Sequence, residues 1–195
     1  MKEKLWEEFK GKGNSDDVLF DKAKAISSVV IALAKIDTES IFKNFEWARD
    51  VEKDKGKEVN REKFGQVFFE IVLFYLHFID TKAFQYLNAE QRHFFIFALL
   101  VDVRELIPSI HEANIDGAQF HSIFESTFNE RTMEYGKYKN FLPEKGETMT
   151  DTLYWKLGEK ITEILGWEIN LQVHILITAS IIPELTLQLS ELFEE

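Results

Sequence analysis

The chain has 195 residues, 45% hydrophobic and 29% charged, with a net charge of −11 and no cysteine. Such a chain fits one globular domain and is long enough to bury about 70% of the surface its unfolded form exposes. The missing cysteine excludes disulfides, thiolate catalysis, zinc ribbons and iron–sulfur clusters. Lys and Arg are scattered among more numerous acids, and their densest cluster, residues 49–63, is mixed in sign. That balance speaks against DNA, RNA or an anionic membrane surface as partner.

The N-terminal stretch carries no apolar h-region, so a secretory signal is not expected and a cytoplasmic location is the default. Residues 1–14 read as a short arm ending in Gly-Lys-Gly-Asn, and residues 15–195 as one helical domain. Ser15 is a suitable N-cap, with Asp16 and Asp17 in the first turn where acids favour the helix dipole. Leu19, Ala23, Ile26, Val30 and Leu33 then recur at three- and four-residue spacing, the period of a helix face. Asp37-Thr38 looks like a break or a cap, and Ile41, Phe42, Phe45, Trp47 and Val51 suggest a second helix beyond it. Residues 52–60, charged and holding Gly56, read as a loop.

Asn60 is placed to cap a long central helix over residues 60–87. Its apolar run from Phe64 to Ile79 is 16 residues, interrupted by Gln66, Glu70 and His77. A membrane span needs about 20 mostly apolar residues, so a core helix is expected instead. Asn88 with Gln91 forms a capping-box pattern for a Phe-rich helix holding Phe94, Phe95, Phe97, Leu99, Leu100 and Val103, which Pro108 kinks or ends. Asp116 with Gln119 caps a further helix striped by Phe120, Phe124, Phe128, Tyr135 and Tyr138. Residues 140–147 read as a loop. Thr148 with Asp151 resembles another cap, ahead of Leu153, Leu157, Ile161 and Ile164, and Gly166 is a plausible stop. Residues 167–178 alternate as a strand would, but a lone strand leaves its backbone unpaired. A buried helix, broken near Pro183, is the better reading. The fold class expected is all-α, a single-domain helical bundle of about six or seven helices.

Three stretches, residues 76–84, 128–141 and 151–161, together resemble a widespread group of small all-helical microbial proteins of unknown function. The resemblance rests on His77-x-x-Asp80, on Asn129, Arg131, Glu134, Tyr135 and Tyr138, and on Thr152, Leu153 and Trp155. It covers the chain from residue 60 on and departs at Thr81, where the group's pattern leads one to expect an Arg able to pair with the Asp. It implies a helical fold and no activity.

Two constellations are candidate sites. At 100° per residue, Glu70 and His77 share a narrow stripe of the long helix with Gln66 and Thr81, and Asp80 lies beside it. Facing water, the stripe is a wet face; facing other helices, its charges must be paired or serve metal or acid–base chemistry. Arg131, Tyr135 and Tyr138, spaced by four and three, share one helix face with Glu134 nearby. They could form an anion- or ring-binding patch, or an amphipathic edge whose hydroxyls and guanidinium reach water. Glu90-x-x-His93 has ferritin-like spacing without a second copy and reads as a first-turn acid. His111, His121 and His174 lie apart, and no phosphate loop, zinc-protease or hydrolase motif occurs. No catalytic residue, metal ligand or cofactor is assigned.

Phenylalanine occurs 18 times. The apolar faces of residues 90–107 and 167–193 exceed the evident needs of one bundle, which points to a homodimer. The function read from the sequence is a non-catalytic, self-associating interaction or ligand-binding module. A metal-binding protein or enzyme built on the stripe is the alternative.

Overall fold

Helices account for every regular element in the computed structural model, which describes residues 16–44, 57–110, 117–138, 140 and 148–166. In chain order they are α1 (Asp16–Asn44), α2 (Lys57–Tyr86), α3 (Ala89–Ile110), α4 (Gly117–Tyr135), a 3-10 turn (Met149–Asp151) and α5 (Leu153–Leu165). The described residues contain no strand, so the protein is all-α over that part. They hold five α-helices, fewer than the six or seven expected. The expected arm, the Ser15 and Asp116 caps and the ambiguous stretch 167–178 lie outside them.

The expected break at Asp37-Thr38 does not occur, and α1 runs through it. Positions 34, 37, 38 and 41 keep the spacing of the apolar stripe, and all four are buried. Thr38 satisfies its hydroxyl locally by donating to the Ala34 carbonyl at 2.6 Å, so it can sit inside a buried helix. The helix expected from residue 41 is therefore the last turn of α1, and the rest of that prediction falls on residues outside the description.

Helix α2 begins three residues before the expected Asn60 cap. Lys57 and Glu58 are good helix formers, so the helix takes them up and Asn60 lies within it. From residue 70 to 77 every side chain is buried, which is why α2 shows no clean apolar face. The Asn88–Gln91 box at the start of α3 forms reciprocally. Gln91 N–H donates to Asn88 Oδ1 at 2.9 Å and Asn88 N–H to Gln91 Oε1 at 3.4 Å. Helix α3 closes two residues after Pro108. Beyond Tyr135 the chain leaves α4 through three-residue turns, with Lys137 N–H on Glu134 at 3.3 Å and Tyr138 N–H on Tyr135 at 3.0 Å, after Gly136 N–H makes a last helical bond to the Thr132 carbonyl at 3.0 Å. A Cβ at Gly136 would stand 2.9 Å from that same oxygen.

The cap of α5 is Thr152 and not Thr148: the Thr152 hydroxyl accepts from Trp155 N–H at 3.3 Å, while Thr148 precedes the 3-10 turn. Gly166 ends α5 in the left-handed region at φ 71°, its N–H on the carbonyls of Glu163 and Thr162. The Lys63 ammonium donates to the Leu165 carbonyl at 2.8 Å and adds a cation where the helix dipole favours one.

The described parts of Met1–Leu33 and Tyr75–Thr127 form one compact unit, and those of Ala34–Phe74 and Phe128–Pro183 another. The first has a core of Leu19, Val30, Tyr75, Ile79, Phe95, Leu99, Val103 and Phe124. Its helices are tied by the Ser27 hydroxyl on Asp102 and by Arg104 with Glu125 at 3.5 Å. The second has a core of Ile41, Phe68, Ile71, Val72, Phe74, Tyr135, Leu157 and Ile161. There Phe74 meets Tyr135 edge-on at 6.0 Å and Tyr154 at 5.3 Å, ring contacts worth about 1 kcal/mol each beyond burial.

Candidate functional site

The second unit holds the densest polar constellation of the described residues, and it grows from a single buried carboxylate. Glu70 is 3% exposed, in the stretch of α2 that is buried on every side. An ionised carboxylate there requires partners, because leaving it unpaired is very costly. Arg131 of α4 donates its Nε–H to both oxygens of Glu70, at 2.8 and 3.0 Å. One turn on, the fully buried Tyr135 donates its hydroxyl to Glu70 Oε1. The spacing of four residues places the guanidinium and the phenol on one face of α4, so one carboxylate engages both.

The constellation then passes to α5. Arg131 Nη1 reaches Glu134 at 3.2 Å and Glu130 at 3.4 Å. Glu134 Oε1 receives Lys156 and Lys160, each at 3.3 Å. Lys156 also holds Glu159 at 3.1 Å, and the Trp155 indole N–H donates to the same carboxylate at 2.9 Å. Lys156 and Lys160 lie four apart on α5, one turn above the other, which is how both converge on one acceptor.

The electrostatics follow from this pairing. Burial works against the charge of Arg131, but its hydrogen bond to Glu70 and the negative charge of Glu70 outweigh that and hold its pKa above the ordinary value. Burial would raise Glu134, yet the hydrogen bond from Lys156 and the charge of Lys160 win and keep its carboxyl below the usual range. Tyr135 is pushed well above the ordinary phenol, first by burial and then by the charge of Glu70. It therefore stays a protonated donor and is a poor acid at neutral pH.

The first unit carries a second pair. Arg92 of α3 forks onto Asp80 of α2, Nε to Oδ1 at 2.7 Å and Nη2 to Oδ2 at 2.6 Å, the strongest geometry an Arg–carboxylate pair can take. The hydrogen bond to Asp80 raises the Arg92 pKa, and its guanidinium lies 5.2 Å from the Phe84 ring centroid. Asp80 thus meets its arginine from α3, not from position 81, where Thr81 donates to the His77 carbonyl at 2.9 Å. His77 is 8% exposed, and burial lowers its pKa against the opposing attraction of Asp80.

The stripe of α2 is therefore not a wet face. Gln66 is exposed and Thr81 and Asp80 are half-buried, but Glu70 and His77 are buried. Glu70 closes on Arg131 and Tyr135 while Asp80 closes on Arg92, so the two carboxylates serve different partners. Of the second constellation, Arg131, Glu134 and Tyr135 come together. Tyr138 does not continue their helix face, because α4 has ended and a turn carries Tyr138 N–H onto the Tyr135 carbonyl at 3.0 Å. Neither does the hydroxyl of Tyr135 reach water, as an amphipathic edge would require.

Glu90 and His93 are both exposed, and Glu125 pairs with Arg104. Among the described residues no three or more His, Asp or Glu side chains gather as a metal site would need. None of the described helices is long and apolar enough to cross a membrane. His111 and His174 lie outside the described residues. Sequence reasoning does not reach Arg92, Lys156, Lys160 or Glu159, and it singles out Trp155 only through the resemblance. The Lys156–Lys160 spacing was visible, but nothing local marks Glu134 as their shared acceptor.

What emerges over the described residues is an all-helical protein in which Glu70 is closed by Arg131 and Tyr135, and Asp80 by Arg92. Compared with known proteins, the chain matches no family model, no curated protein and no solved structure.

Proposed function

We propose that the chain is a non-catalytic helical module of the cytoplasm that works by binding and associates with a second copy of itself. In this reading it is a bundle of six or seven helices around α2 as its central member, kin to the small all-helical microbial proteins it resembles. The polar residues of α2 act as latches between helices and not as reactive groups. The observation that carries the reading is the state of Glu70: both of its oxygens are engaged by Arg131 and one also by Tyr135. A carboxylate so occupied, with three bonds on its roughly four acceptor sites and an arginine against it, is held in place as a structural acceptor, whereas a general base must lie within reach of the proton it takes. Asp80, forked by Arg92, is closed in the same way. The negative net charge of −11 supports a partner other than nucleic acid.

Two measurements on the purified chain test this. Elemental analysis should find no stoichiometric metal, and light scattering at micromolar concentration should give about twice the 22.9 kDa chain mass. A bound transition metal lost on Glu70→Gln or Asp80→Asn would overturn the latch reading in favour of a metal site. A monomer at every concentration would remove the self-association.

A further inference from the structure

We draw no further inference here: the strongest candidate, the surface patch where the exposed Phe84 ring stacks on Arg92 at the junction of α2 and α3, is an apolar and cationic face with nothing in the structure to show what covers it.

Discussion

Tyr135, at the last residue of α4, donates its hydroxyl to Glu70 in the middle of α2, across 65 residues of chain. Both are buried, and Arg131 completes the triad from one turn earlier on α4. Tyr135→Phe removes one of the donors while leaving the ring. It is expected to cost about 2 kcal/mol, the range for hydrogen bonds to a charged group. At this chain length each kcal/mol corresponds to about 2–4 °C in melting temperature, so a thermal scan resolves it. An unchanged melt would mean that the phenol contributes no net stability.

The Asp80–Arg92 fork is expected to matter less despite its better geometry. The Arg92 side chain is 36% exposed, and solvent screens the pair. Asp80→Asn and Arg92→Met should each cost about 1 kcal/mol and no more. Their double mutant should add less than the sum, because the two touch. Losses from either change as large as those from opening the Glu70 latch would show that exposure does not rank the two pairs.

Acid should weaken the fold in two windows. Burial sets the His77 pKa below 6.5, so the folded chain binds fewer protons there than the unfolded one. The His77 contribution is complete above pH 6.5 and is lost as pH falls towards its lower folded value. His77→Gln should flatten the dependence of unfolding free energy on pH as pH falls below 6.5. Glu134 also has a depressed pKa, because Lys156 and Lys160 outweigh its burial; its contribution stands above pH 4.5 and is lost as pH falls through the folded value. Glu134→Gln should flatten only that lower window. Denaturant titrations across pH would reveal either slope unchanged if these groups are not the cause.

Gly166 sits at φ 71°, where, among the described residues, a Cβ would meet nothing nearer than the Lys63 ammonium at 3.9 Å. Gly166→Ala is therefore expected to cost about 1–2 kcal/mol through backbone conformation alone. Gly166→Asn should cost less, since Asn tolerates the left-handed region. Equal losses for both variants would point to a steric cause that the geometry does not contain.

These elements also show which parts of the molecule can be read from the chain. The Asn88–Gln91 box and the Gly166 stop were legible because each depends on contacts within four residues. The false break at Asp37-Thr38 came from weighing two polar residues by type, when their positions continue the buried stripe of α1. Thr148 with Asp151 fits the capping pattern one turn before Thr152, so the sequence pattern alone does not single out Thr152 as the cap of α5. Periodicity placed Glu70 and Arg131 each on a helix face. It carried no information on what those faces meet, so a pairing 61 residues apart was out of reach. The four-and-three spacing puts Tyr138 on the α4 face only if the chain stays helical past Gly136, and it does not.

The central claim, that Glu70 is held as a latch, is tested most directly by the unfolding free energy of Arg131→Met beside Glu70→Gln/Arg131→Met. The account predicts that Arg131→Met alone costs about 3–5 kcal/mol, because it strands a buried carboxylate, and that the double variant recovers a large part of that loss. Unchanged or raised stability in Arg131→Met would contradict it, since that is how a strained functional site behaves when one of its groups is removed.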